Sequence, residues 1–232
     1  MKKAIVLSSG GVDSSTCLGI AIARLGAENV STVSIRYGQK HSRELDASTK
    51  IAEYYGVPHY ELNLSEIFKY SNCSLLSTST EEIPEGTYEE QISKKENGMV
   101  STFVPFRNGV MLSSVAALAV SLYPDEEVDI YIGAHADDAA GNAYADCSKE
   151  FTDTIAKAIN IGTYKLVHVE APLVEMNKAQ VVAEGLKLRV PYELTTSCYN
   201  GREKACGKCG TCLDRIAAFE ANGVKDPIEY EE

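Results

Sequence analysis

An α/β fold, with an open parallel sheet covered by helices on both faces, is predicted by three observations. Short β-branched runs alternate with helical patterns along the chain, as successive βαβ units require. Polar residues gather directly after the runs, where an open sheet binds its ligands. The first run passes into small, hydroxylated and glycine residues before a helix begins.

That first run is Ala4-Ile5-Val6-Leu7, followed by Ser8-Ser9-Gly10-Gly11-Val12-Asp13-Ser14-Ser15. Thr16 to Leu25 then carries apolar side chains at Cys17, Leu18, Ile20, Ala21 and Leu25, a helical spacing. A strand–turn–helix leaves the amides of the first helical turn unpaired and pointing outwards, which suits phosphate oxygens. Gly10 and Gly11 allow close approach and positive φ, while Ser8, Ser14 and Ser15 offer hydroxyl donors. The plainer alternative is an ordinary turn capped by Asp13 and Ser14. The Gly-Lys-Ser/Thr ending of the Walker loop is absent, and the pattern is not G-x-G-x-x-G.

Val30 to Ile35 reads as the second strand, followed by Tyr37-Gly38-Gln39-Lys40-His41 and a helix from about Ser42 to Tyr55. Tyr60 to Leu64 alternates as a third strand, and Val128–Gly133 and Lys165–Val169 read as two more. Helical patterns occupy Asn108–Leu122, Ser148–Asn160 and Asn177–Leu188. Residues 71–102 are polar, hold Pro84, Gly86 and Gly98, and show no period, so a mobile lid over the pocket or a disordered insertion is expected. Residues 1–190 are expected to form the α/β domain that carries the phosphate-binding turn, and 191–232 a zinc-binding tail with a C-terminal helix.

Candidate ligands stand at the strand ends. Gln39 supplies an amide beside Tyr37, whereas Lys40 and His41 also fit a solvated helix start. Arg107, beside Asn108, presents a planar donor fork for a carboxylate or phosphate, with a surface ion pair as the alternative. Asp138 and Asp146 can take Mg²⁺ or read ring amino groups, while His135 caps or packs and Cys147 reads as a buried thiol. Asn177 is a plausible N-cap. Lys178 then opposes the helix dipole, a misfit relieved by a phosphate; a solvated lysine is the alternative.

Cys198, Cys206, Cys209 and Cys212 can close a tetrahedral thiolate site on Zn²⁺ with no open position, hence structural zinc. An iron–sulfur cluster is the rival.

The net charge of −11 disfavours sequence-independent binding of nucleic acid. No apolar run approaches the roughly 20 residues of a membrane helix, and the first residues do not read as a signal peptide. Seven cysteines without an export signal indicate a reducing compartment, so a cytoplasmic location is expected.

Ser9-Gly10-Gly11-Val12-Asp13-Ser14 resembles the S-G-G-x-D-S pyrophosphate loop of the ATP pyrophosphatase (PP-loop) superfamily. The resemblance implies an adenine nucleotide alpha hydrolase-like (Rossmann-like) fold. It also implies that Ser8 to Ser15 cradle pyrophosphate with Mg²⁺ while AMP is transferred to a substrate oxygen. Tyr37–His41, Val104–Asn108, the Asp138 to Cys147 stretch, Ala171-Pro172-Leu173 with Lys178, and the four cysteines followed by Arg215 and Phe219 extend the likeness along the whole chain. Together they resemble the 7-cyano-7-deazaguanine synthases. One departure is Ala145, where a Tyr-Pro-Asp-Cys signature has proline.

The family likeness implies that 7-carboxy-7-deazaguanine and free ammonia become the nitrile through two adenylations. Asp13, Ser14, Lys178 and Arg107 are then the catalytic candidates. Ser8, Ser9, Gly10, Gly11, Val12, Ser15 and Gln39 hold ATP, and Arg107, Asp138 and Asp146 hold the ring. The expected partners are small molecules and a second copy of the chain. Rival readings are a tRNA-thiolating or amidating PP-loop enzyme and a nucleotide-binding zinc protein without turnover.

Overall fold

The computed structural model describes residues 2–93, 100–139 and 144–231. Strands β1 (Lys3–Leu7), β2 (Val30–Arg36), β3 (His59–Asn63), β4 (Val128–Tyr131) and β5 (Val167–Glu170) form one sheet in the order β3-β2-β1-β4-β5. Every pairing is parallel, with Ile5 opposite both Ser31 and Ile130. The order reverses between β1 and β4, because the chain runs outward to β3 and then returns to the far side of β1. The crevice beyond the carboxyl ends of these strands is therefore the natural ligand site.

The longer helices are α1 (Val12–Leu25), α2 (Arg43–Tyr55), α5 (Arg107–Leu122), α7 (Lys149–Gly162), α8 (Lys178–Lys187) and α9 (Gly210–Ala221), with short α3 (Ser65–Phe68), α4 (Tyr88–Ser93) and α6 (Ala136–Ala139) between them. Successive residues of β1 point to opposite faces, and the two faces build separate cores. Ile5 and Leu7 join Leu112 and Val115 of α5 and Ile159 of α7. Ala4 and Val6 join Leu18 of α1, Ile51 of α2, Val181 of α8 and Phe219 of α9. Among the described residues no helix is long and apolar enough to cross a membrane.

The described part of 71–102 is anchored at several points: Cys73, Leu75, Leu76 and Val100 are buried in the first core, and Leu76 bridges Gln39. None of its described residues lines the main cavity; residues 94–99 lie outside the described residues. A polar, aperiodic segment still buries apolar side chains one at a time, which periodicity does not detect.

The tail beyond residue 190 is packed onto the α/β body through Tyr192 and Phe219, whose rings meet edge to face at 5.3 Å. Arg215, fully buried, donates through Nε and Nη2 to Asp226 at 2.7 and 2.9 Å and through Nη1 to Thr195 at 2.8 Å. Tyr230 donates to Asp226 as well, so both charges are hydrogen-bonded, as burial demands.

Candidate functional site

β1 ends at Leu7, and the chain turns sharply at Gly10, whose φ of +73° is left-handed. A side chain there would also run into Glu44 and Ala47 of α2, so the turn needs glycine on two counts. Gly11 has extended backbone and serves as the N-cap of α1, without a side-chain cap. Asp13 and Ser14 are therefore not capping residues, and the first-turn amides are left facing the cavity, where an anion is favoured. Ser14 Oγ receives a hydrogen bond from the Ser9 amide at 3.2 Å, and Ser48 donates to Ser8 Oγ at 2.7 Å, pinning α2 to the loop. Gly133, just past β4, lets that strand end approach the backbone of Asp13 and Ser14, where a Cβ would be crowded at 3.0–3.1 Å.

The cavity above the loop encloses about 1260 Å³ with its open mouth included. Ser8, Ser9, Gly11, Asp13 and Ser14 line it; Gly10, Val12 and Ser15 do not. Those three shape the turn instead: Val12 is buried in the core, and Ser15 donates to the Gly11 carbonyl at 2.7 Å.

Lys178 is neither solvated nor free. Its ammonium donates to both carboxylate oxygens of Asp13 at 2.7 Å each, and it lies 3.3 Å from His135 Nε2. Asn177 caps α8 in a reciprocal pair with Gln180, and Asp137 accepts the Lys178 amide at 2.7 Å. The amides that create the dipole misfit are thus satisfied within the protein. Burial on its own would raise the Asp13 carboxyl; Lys178, with help from His135, outweighs it and holds the carboxyl below its usual range. Burial pulls Lys178 down, but Asp13 and Asp138 outweigh it and raise the ammonium.

His135 is buried and central rather than a cap. Its Nε2 is 3.3 Å from Asp138 and 3.8 Å from Asp13. Asp138 is raised by burial, with His135 and Lys178 pulling the other way. Asp214 of α9 also lines this end, and burial raises its carboxyl too.

Arg107 makes no ion pair among the described residues. Its guanidinium lies over the Tyr37 ring at 5.4 Å, within hydrogen-bonding reach of that phenol, and lines the cavity. Gln39 lines the cavity too, though its amide is tied to the backbone of Tyr37 and Ile35.

Asp146 is placed differently from the expectation. Its carboxylate accepts the Asn108 amide at 2.8 Å at the start of α5, it is buried, and it does not line the cavity. The turn Ala145–Cys147 forms without proline, closed by the Cys147 amide on Tyr144 at 3.0 Å. Residues 140–143 of the motif lie outside the described residues. Cys147 accepts from the Asn108 side chain at 3.2 Å, and burial pushes its thiol well up, as for a structural thiol.

The ligand atoms of Cys198, Cys206, Cys209 and Cys212 all lie within 4.8 Å of one another, and all four residues are buried. A tetrahedral ion with bonds near 2.3 Å separates its sulfurs by about 3.8 Å, so modest contraction completes such a site. The amides of Lys208 and Cys209 point at Cys206 Sγ at 3.5 and 3.4 Å, and that of Cys206 at Cys198 Sγ at 3.3 Å, donors that suit thiolates. The cluster can hold a metal ion.

Glu44, Asp214 and the central place of His135 escaped the sequence reading. Glu44 opens the helix that directly follows the second strand, a positional signal. Asp214 had none, since only the fold brings α9 to the cavity.

The family model for "Queuosine biosynthesis protein QueC" matches residues 3–223 of the chain. The chain is 41% identical over 227 residues to a 7-cyano-7-deazaguanine synthase of Marinobacter nauticus, covering 98% of this chain and 96% of that protein. It is 44% identical over 229 residues to one of Caldicellulosiruptor saccharolyticus, covering 99% and 96%. It is 43% identical over 239 residues to one of the archaeon Thermoplasma acidophilum, covering 99% and 92%.

Proposed function

The chain belongs to the QueC family of queuosine biosynthesis proteins, and on that premise we propose that it makes 7-cyano-7-deazaguanine from 7-carboxy-7-deazaguanine, ammonia and ATP. It is then a carbon–nitrogen ligase. The observation that carries this reading is the uncapped loop at the switch point, with the Asp13–Lys178 pair beside it in the cavity beyond the strand ends.

A carboxylate is a poor electrophile because its leaving group is oxide. Its oxygen attacks the α-phosphorus of ATP, which enters as its Mg²⁺ complex; pyrophosphate leaves, and an acyl adenylate forms. Ammonia displaces AMP to give the amide and loses a proton. The amide oxygen attacks a second ATP, pyrophosphate leaves again, and loss of AMP with the nitrogen's protons leaves the nitrile. The chain's share is positioning and charge stabilisation. Ser9, Gly11, Ser14 and the first-turn amides of α1 cradle pyrophosphate. Lys178, held by Asp13, supplies positive charge against the negative charge that builds on the leaving pyrophosphate, and the guanidinium of Arg107 suits the substrate carboxylate. Asp138 faces the phosphate end rather than a separate ring pocket, which supports a role there.

Cys198, Cys206, Cys209 and Cys212 would hold Zn²⁺, whose contribution is folding energy rather than Lewis acidity. Convergence of four sulfurs towards one point favours a single ion over a cluster whose irons each take one cysteine. The net charge of −11 supports small molecules rather than nucleic acid as partners, and the thiols suit the reducing cytoplasm. A homodimer is the expected assembly, readable by light scattering.

Incubation with the deazaguanine acid, ammonium and ATP should yield a product of nitrile mass and two AMP per nitrile. Formation of ADP, or transfer to tRNA instead of the free base, would contradict the assignment.

A further inference from the structure

We infer that Glu44 is the specificity-determining residue for the ring, its carboxylate accepting the adjacent N1–H and 2-amino donors of the deazaguanine edge. The inference rests on the proposed reaction and names which side chain reads its substrate.

The carboxylates around the cavity are not equivalent. Asp13 is held by Lys178, Asp138 by His135, and Asp146 by the start of α5. Asp214 stands among Lys178, His135, Asp138 and Asp137, at the phosphate end. Glu44, in the first turn of α2, lines the cavity yet makes no hydrogen bond and no ion pair among the described residues. The charged groups acting on it are His41 and Arg107, and burial raises its carboxyl despite both. A half-buried carboxylate without a partner is costly unless a ligand supplies donors.

The surroundings define that ligand. Ile35 of β2, Tyr37 just beyond it, Leu45 beside Glu44, and Met111 of α5 give the cavity apolar walls suited to a flat ring. Arg107 and the Tyr37 ring it stacks on are in electrostatic reach of Glu44. A guanine-type ring bearing a carboxylate offers both complements at once: two parallel N–H donors on one edge and an anion on another. An ionised carboxylate accepts at both oxygens, so it pairs with two adjacent donors. An adenine edge places a donor beside an acceptor and leaves one Glu44 oxygen facing a lone pair.

Glu44→Gln separates these cases, because glutamine presents one acceptor and one donor. It clashes with the guanine edge and matches the adenine edge. Binding of the deazaguanine acid by calorimetry should weaken about 10- to 100-fold in E44Q, the loss expected for a charge-assisted hydrogen bond. The KM for ATP should stay unchanged. Glu44→Asp, which keeps the charge but shortens the reach, should fall between the two, and it serves if E44Q folds poorly. An analogue lacking the 2-amino group should bind wild type more weakly than the acid but bind E44Q no worse than the acid does.

Unchanged acid binding in E44Q overturns this inference, as does a raised KM for ATP with acid binding intact. A wild-type protein that binds the acid but makes no nitrile defeats only the proposed reaction. One that binds no acid defeats both.

Discussion

The phosphate loop and the four-cysteine knuckle were both visible as motifs, yet they are completed in different ways. The knuckle draws all its ligand atoms from Cys198 to Cys212 and closes on itself. The loop draws its partners from across the chain: Lys178 from α8, His135 and Asp138 from beyond β4, Asp214 from α9. A metal site that never opens needs only local spacing. An open cavity lined by charges needs those charges to balance one another while it is empty, and Asp13 and Lys178 do this at 2.7 Å. The regions also meet, since α9 carries Cys212 in the knuckle, Asp214 in the cavity and Arg215 in the buried network that fixes both.

The largest effect is expected from breaking the knuckle. Structural zinc contributes about 10–16 kcal/mol to folding in small domains. Cys209→Ser should therefore lose bound metal, measured by atomic absorption, and melt far below wild type. Because α9 positions Asp214, turnover should fall with metal content and recover when zinc is restored to a partly loaded sample. A C209S protein with normal metal content and melting would break the contrast between the two regions.

Next comes the cavity. If Lys178 acts on the phosphates as proposed, Lys178→Ala should lower kcat/KM for ATP about 10²–10³-fold, with metal content unchanged. Activity near wild type would mean that the Asp13–Lys178 pair is structural only.

The smallest effect is in pH. Asp13 is held below its unfolded value, so its share of stability is present above roughly pH 4 and is lost as pH falls through the lower folded value. Lys178 is raised, so its share is present below roughly pH 10 and is lost as pH rises through the higher folded value. The difference in melting temperature between wild type and K178A should shrink on the acid side, from the pH at which the unpaired, buried Asp13 of K178A takes up its proton, and again above roughly pH 10. Taking the difference cancels the thiols common to both proteins. A difference that did not shrink on either side would contradict the pairing of Asp13 with Lys178 as the source of that stability.

Much of the architecture was legible from the residues because strands and long helices follow local periodicity: Val30–Ile35 was expected and Val30–Arg36 is found, and Asn108–Leu122 against Arg107–Leu122. The anchoring of Cys73, Leu75 and Leu76 in the core was not legible, because they are buried without any repeating pattern. Asp146 was expected to read the ring because it follows a strand end, yet a helix start from distant sequence claims its carboxylate.

By itself, the order of amino acids determined the βαβ alternation, the glycine turn and the thiol spacing. Each depends on neighbours within a few residues. Only the tertiary structure decided which charges face one another: that Lys178 grips Asp13, that His135 is central, and that Glu44 is left without a partner. Those outcomes depend on side chains far apart in the chain meeting where the strand order reverses, and electrostatic pairing acts through space rather than along the backbone.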